Sequence, residues 1–486
     1  MTSHPTTRHP IARALGSTGL IAFLALLLAG CAAGPAPAPS GPVSTADPVT
    51  RAAIERLGAA PCDSADQAQL QLATTDGLLC GALRVPVDRE TSGSATTDLT
   101  VVLTEGDAPR GVLLLIGGGP GGASTWSVPT IRAIMPEVAA EYQLVALDLR
   151  GTGTGALDCP EVQREVGSSD VLAPSAAAID ACATAIGAWQ DALSTEATVR
   201  DLDELRIALG ATRWALDGTS YGTFVAARYA AAHPEAVRAL VLDSVVPVEG
   251  VDPFLLSSFE ALPGVLAERC AAESCETDPV EDLAEVLAGG YPALPLFNML
   301  VAYSVAAPVF DGVIDALAAA RAGEPSALDG LVAAMDAAAA APLSTFSAGT
   351  HIATLCADTP MPWGEATDPA QRQAALATAI AGVDPERIRP FPSSLLAELG
   401  TAFSCLHWPA SGGAPLDAAL EAEALAEVPA LLLTGELDLS TPFANALAMA
   451  QRFTSPQLVT IPGAGHAAQM TPGGIGVVTD FLLAAR

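Results

Sequence analysis

The chain has 486 residues and carries 54 Asp plus Glu against 22 basic side chains, all of them arginine, for a net charge of −32. Such a field repels a phosphate backbone and argues against nucleic-acid binding, while 50% hydrophobic content excludes a disordered chain. The length suits two or three domains, or one large α/β domain that carries an insertion.

At the N-terminus Arg8 and Arg13 precede the apolar run Leu20 to Leu28, which is shorter than the roughly 20 residues a bilayer span needs. Residues 1–30 therefore read as a signal peptide. Cleavage near Ala29 is one reading. The other follows from Leu28-Ala29-Gly30-Cys31, which resembles a bacterial lipobox: cleavage before Cys31 exposes a residue for lipidation. Residues 31–60, rich in Pro, Ala, Gly and Ser from Ala32 to Pro42, then serve as a tether, and the chain is expected outside the cell, anchored to the membrane or secreted.

Without Cys31 eight cysteines remain, an even number that in an exported chain reads as a disulfide set, with buried free thiols as the alternative. Short loops close at the lowest entropic cost, so neighbours are expected to pair: Cys62–Cys80, Cys159–Cys182, Cys270–Cys275 and Cys356–Cys405. There is no Cys-x-x-Cys and no His-Glu-x-x-His, so neither a metal nor a cofactor is expected.

Strands are predicted at Gly81 to Val87 and Thr96 to Leu103, then at Gly111 to Ile116, which runs into Gly117-Gly118-Gly119-Pro120-Gly121-Gly122. Gln143 to Asp148 is a strand closed by Arg150-Gly151-Thr152-Gly153, and Val199 to Leu209 has helical spacing of apolar residues. Trp214 to Asp217 leads through Gly218-Thr219-Ser220-Tyr221-Gly222 into a helix at Phe224 to Ala232, and Ala239 to Asp243 is a further strand. Short apolar strands alternating with helices indicate a mostly parallel sheet flanked by helices. That rhythm marks residues 61–247 as the first part of a core. Residues 248–395 show only Ala/Leu helical patterns and read as an inserted helical cap. Strand signals return at Ala430 to Thr434 and Gln457 to Ile461, with a helix at Ala444 to Phe453 between them, so 396–486 complete the core.

Gly218-Thr219-Ser220-Tyr221-Gly222 matches Gly-x-Ser-x-Gly, a strand-to-helix turn that lifts a serine hydroxyl above a sheet. A hydroxyl attacks only when a base takes its proton, and the base needs an acid to orient it. His4 and His9 lie in the signal segment. His233 ends a helix, and His351 and His407 fall in or beside the cap. His466 lies in a Gly-rich loop after the last strand, where the order Ser, acid, His requires the base. Asp438, after Leu431-Leu432-Leu433-Thr434, is the first choice of acid, with Glu436 and Asp243 as alternatives. The Tyr221 amide can donate to an oxyanion, and the Gly-rich loop after Ile116 suits the second donor better than a nucleotide phosphate. That loop lacks dinucleotide spacing, and Pro120 removes an N–H.

Taken together, the Gly118–Gly122 loop, Asp148 to Gly153, Gly218 to Gly222, Gly435 to Asp438 and Gly463 to His466 resemble the tripeptidyl aminopeptidase and proline iminopeptidase branch of the α/β-hydrolases. More narrowly they resemble its secreted or lipoprotein actinobacterial members. The usual His-Gly-Gly-Pro-Gly has Gly117 in first place here, a departure shared by the tripeptidyl-type relatives. The resemblance implies an α/β-hydrolase fold with a TAP-like C-terminal part, Gly119 as the second oxyanion donor, and a cap-to-core disulfide through Cys356 and Cys405. It also implies an exopeptidase that reads the substrate's α-amino group with cap acids, the candidates being Glu260, Glu268, Glu273, Glu276 and Asp358.

Three functions compete: an N-terminal exopeptidase at the cell surface, a carboxylesterase or lipase using the same Ser220, Asp438 and His466, and a non-catalytic surface lipoprotein that binds peptides. The expected partners are accordingly a peptide or small acyl substrate and, through the lipid, the membrane.

Overall fold

The computed structural model describes residues 48–106, 108–306, 312–364, 367–409 and 424–485. The signal segment, Cys31 and the first part of the tether lie outside the described residues.

The eight apolar runs become strands and a short unpredicted one, β1, joins them, so that the described residues form one nine-stranded sheet: β1 (Ala60–Pro61), β2 (Leu78–Pro86), β3 (Thr96–Thr104), β4 (Val112–Ile116), β5 (Gln143–Leu147), β6 (Trp214–Thr219), β7 (Val237–Asp243), β8 (Ala430–Gly435) and β9 (Gln457–Ile461). Their spatial order is β1-β2-β3-β5-β4-β6-β7-β8-β9. The first four in that order pair antiparallel, and the pairs from β5–β4 onward are parallel. Strands buried on both faces must be apolar throughout, and β4 and β5 have every residue buried. Leu216 and Leu432 point into one core layer and Ala215 and Leu431 into the other, as the two-residue period requires.

The folded body begins before residue 60. Pro48–Leu57 is a helix whose Ala53 and Leu57, one turn apart, are buried against the sheet layer that also holds Leu202 and Leu205. The later part of the expected tether is thus docked on the core, because its apolar residues share one helix face.

Between β7 and β8 the described residues make eight α-helices, from Leu256–Glu273 to Gly400–His407. They enclose their own core, where the Phe259 and Phe297 rings stack at 4.0 Å and Phe391 meets both edge-on. The helical layer continues past residue 395 through Gly400–His407, and among the described residues the next strand is Ala430–Gly435. A second excursion, between β5 and β6, adds the helices Pro160–Val166 and Ala176–Ile186, which pack against Ala348–Asp358 and Gly400–His407.

All four neighbour disulfides form, with Cα–Cα separations of 5.0, 5.0, 5.0 and 5.1 Å. Cys356–Cys405 joins two helices of the helical layer, not cap to core, because Cys405 belongs to Gly400–His407. Among the described residues no helix is long and apolar enough to cross a membrane.

Candidate active site

A strand that turns straight into a helix needs residues that fit where backbones cross. β6 ends at Thr219 and the next helix starts at Tyr221, which leaves Ser220 at the turn with φ 57° and ψ −128°. This left-handed conformation is unfavourable for a residue with a Cβ and persists only where its surroundings enforce it. The Ser220 amide donates to Asp243 O at 2.9 Å, and the Thr223 amide donates to Ser220 O at 2.8 Å. A Cβ on Gly222 would come within 2.2 Å of Ile116 O, and one on Gly118 within 2.6 Å of Ser220 Cβ, so both positions admit only glycine. Ser244 and Ala467, on the loops after β7 and β9, also have positive φ, and the Ala467 amide donates to Ser244 Oγ at 2.8 Å.

Asp438 lies fully buried just past β8 and accepts from His466 Nδ1 at 3.0 Å, from the Ser440 and Thr441 amides at 2.9 Å, and from Thr441 Oγ1 at 2.7 Å. A carboxylate only accepts, so Nδ1 carries the proton and Nε2 is left as the basic nitrogen. Burial opposes the Asp438 charge, but the His466 contact and the Thr441 bonds outweigh it and hold this carboxyl below its ordinary range. Burial also pushes His466 down, yet Asp438, with Asp243 and Asp170 behind it, pulls the imidazole above its usual value. The histidine loop is fixed by its backbone: His466 N donates to Ser304 O of the cap at 2.8 Å. Gln469 Nε2 donates to Thr219 Oγ1, beside Ser220, at 2.6 Å. Among the described residues no hydrogen bond joins Ser220 Oγ directly to His466; such bonds are often long without substrate and tighten when it binds.

The alternatives have other partners. Glu436 Oε2 accepts from the Gly463 amide at 2.8 Å, and Asp243 Oδ2 accepts from the Gln469 amide at 3.1 Å. The His233 ring packs on Tyr229 at 5.0 Å and the His407 ring on Phe403 at 4.7 Å.

The Tyr221 amide opens its helix and has no acceptor within it. Opposite Ser220 the Gly-rich loop is gripped from two sides. From the core, Asp148 Oδ1 accepts from the Ser124 and Thr125 amides at 2.8 and 3.0 Å, next to the buried Arg150–Asp201 pair. From the helical layer, Ser347 N donates to Gly121 O at 2.9 Å and His351 Nδ1 donates to Pro120 O at 2.9 Å.

The expected cap acids do not line the cleft. Glu260 pairs with Arg387 and Glu273 with Arg269 on the surface, and Glu268 and Glu276 are exposed. Asp358 is buried and turned toward the helix Tyr221–Ala232, accepting from Tyr221 Oη and Thr195 Oγ1 at 2.6 Å and from Thr195 N at 3.0 Å. Burial raises it to about 6 despite those bonds.

A carboxylate on the side of His351 is Asp170, from the excursion between β5 and β6, with 42% of its side chain accessible and a place in the crevice that His351 also lines. Its Oδ1 lies 3.4 Å from His351 Nε2, and it is within electrostatic reach of His466. The enclosing walls raise its pKa, although both histidines oppose that. No sequence signal marked it, because the loop Ser168-Ser169-Asp170 matches no motif and reaches the cleft only through the packing of the two helical excursions. Beside it a cavity of about 170 Å³ has Val301, Ala302, Val305 and Met335 on its wall together with Ser169 and Asn298. The His/Cys/Asp/Glu group nearest to ligand spacing among the described residues is Cys62, Asp66 and Cys80, and its two sulfurs are bonded to each other.

Comparison with known proteins agrees with the fold. Residues 111–276 match the family described as alpha/beta hydrolase fold, and residues 396–486 match the family described as TAP-like protein. The chain is 28% identical over 258 residues to the serine protease Hip1 of Mycobacterium tuberculosis, covering 49% of this chain and 48% of that one. It is 31% identical over 188 residues to the tripeptidyl aminopeptidase of Streptomyces coelicolor, covering 34% of this chain and 35% of that one. A stretch of 47 residues is 47% identical to the proline iminopeptidase of Xylella fastidiosa, 10% of this chain and 15% of that one. The matches span half or less of the curated relatives' own length.

Proposed function

From a chain with the α/β-hydrolase fold and a TAP-like C-terminal segment, we propose a serine exopeptidase that frees one or a few residues from peptide N-termini at the outer face of the cell envelope. Ser220 Oγ attacks the scissile carbonyl carbon while His466 Nε2 takes its proton. Asp438 holds the ring and offsets the imidazolium charge. The Tyr221 and Gly119 amides donate to the oxyanion. The tetrahedral intermediate collapses, His466 returns the proton to the leaving amine, and the N-terminal fragment stays on Ser220 as an ester. Water then repeats the sequence, giving its proton to His466 and releasing the fragment as an acid.

Asp170 carries the exopeptidase reading. A peptide's free ammonium must give up water on entering the cleft and needs an anion there. Asp170 presents one, and the cavity beside it, with Val301, Ala302, Val305 and Met335 on its wall, has room for the terminal side chain. The same cavity favours a second reading, a carboxylesterase that holds an acyl chain there.

Comparing a peptide anilide with its N-acetylated form separates the two. The free-amine substrate is expected to have a kcat/KM at least tenfold higher, and Asp170→Asn should remove that preference while Ser220→Ala abolishes turnover of both. Equal kcat/KM for the two substrates would leave the esterase.

A further inference from the structure

Residues on the inner faces of a sheet are expected to be apolar, and Asp217 of β6 is not. Side-chain alternation points it to the same layer as Ala215, toward the helix Ser127–Ile134. It is 2% exposed, and neither carboxylate oxygen has a hydrogen-bond partner. The amide of Gln469 lies alongside, but its Nε2 is engaged with Thr219 Oγ1, and its Oε1 is also buried without a partner. Both residues line a cavity of about 140 Å³ bounded by Gly117 and Gly118, the glycines opposite Ser220. Trp126 and Met470, 43% and 40% exposed, form the part of its wall that reaches solvent.

Three of the wall's donors are already engaged, while Ser124 Oγ and Thr219 Oγ1 accept from the Gly117 amide and Gln469 Nε2. Ser127 Oγ gives its proton to Ser124 O at 2.6 Å, Thr130 Oγ1 to Trp126 O at 3.2 Å, and the Trp126 indole N–H to Ala123 O at 2.9 Å. No arginine or histidine contributes to the lining, and Asp217 is its one titratable group, with Asp243 of β7 as the charged neighbour. The space exceeds the roughly 30 Å³ that a water occupies several times over. A single negative charge with neutral oxygens around it is too little for a divalent ion, which gathers several carboxylates or keeps its waters. The Trp126 ring face suits a soft cation near the mouth.

We propose that this cavity is a binding site for a small monovalent cation, an alkali ion or a primary ammonium, held by the Asp217 carboxylate and Gln469 Oε1 beneath the Gly117–Gly118 loop. A bound cation supplies the charge that Asp217 lacks and fixes the loop that borders the nucleophile.

The test is thermal unfolding of the full chain in chloride salts of sodium, potassium, methylammonium and tetramethylammonium at equal ionic strength. At pH 8 at least one small cation should raise Tm by about 2 °C over tetramethylammonium, which is too large to enter. The rise should shrink at pH 5.5, where Asp217, pushed up to about 7 by burial and then by Asp243 against the opposing pull of the neighbouring Gln469 amide, is protonated. It should vanish in Asp217→Asn. Equal Tm in all four salts, or a rise that survives the substitution, overturns the site. A crystal of the unaltered chain soaked in rubidium decides independently of that variant. An anomalous peak at the Asp217 oxygens supports the site; water alone there, with Gln469 turned to donate Nε2 to Asp217, refutes it.

Discussion

Asp438 and His466 illustrate how two buried ionisable groups set each other's state. Either alone would lose its charge to burial; together they keep it, and the imidazole ends above its ordinary pKa. A general base works only when neutral, so raising that pKa moves the acid limb of the rate profile upward. The acid limb of kcat/KM should therefore lie above pH 6.5, the value of a free imidazole. Asp438→Asn removes the partner that raises it, so the limb should shift to lower pH while kcat falls by roughly 10⁴-fold. A pH–rate series on both forms checks this, and an unshifted limb would dissociate Asp438 from His466. Gly118 and Gly222 act at the same scale in a different way, because their contribution is the absence of a side chain where backbones and Ser220 need the room.

At the scale of elements, disulfides and hydrogen bonds tie the helical layer to the site. Ala348–Asp358 reaches the Gly-rich loop through His351 and the helix Tyr221–Ala232 through Asp358, while its Cys356 is bonded to Gly400–His407. Closing a loop across a separation of 49 residues restricts the unfolded chain more than closing one across 5. Replacing Cys356 and Cys405 together by Ala should lower stability by about 4 kcal/mol, against about 2 kcal/mol for the Cys270–Cys275 pair. Urea unfolding of the two double variants measures the difference, and the reverse order would show that native packing outweighs chain entropy here. The first double variant should also raise KM, because Cys405 and Asp170 border the same crevice with His351.

For the whole molecule the net charge of −32 and the N-terminal segment set the setting in which the site works. An acidic body attracts a cationic peptide and leaves a neutral ester unaffected, and salt screens that attraction. We propose that Cys31, once lipidated, holds the chain at the membrane. Cys31→Ala should eliminate incorporation of an alkyne fatty acid in cells while leaving the anilide activity of the purified protein intact. Labelling that persists in the variant would place the lipid elsewhere or remove the anchor.

By itself the sequence determined whatever depends on local order. Apolar runs mark eight of the nine strands among the described residues: Gln457 to Ile461 is placed to the residue and the other seven to within three, while the two-residue β1 carries no such signal. The Gly-x-Ser-x-Gly turn and the strand-end positions of Asp438 and His466 were legible because each belongs to a short segment whose neighbours dictate its conformation. The neighbour disulfides followed from loop length. Tertiary structure alone decided what depends on which loops meet. Asp170 and His351 are 181 residues apart and become partners only when two helical excursions pack together. The cap acids are numerous in sequence, but the fold turns Asp358 to Tyr221 and leaves Glu260, Glu268, Glu273 and Glu276 exposed. Asp217 looked like the last residue of an ordinary strand. Whether a carboxylate there meets a partner or a cavity depends on the helix across the sheet, and a one-dimensional pattern carries no record of that distance.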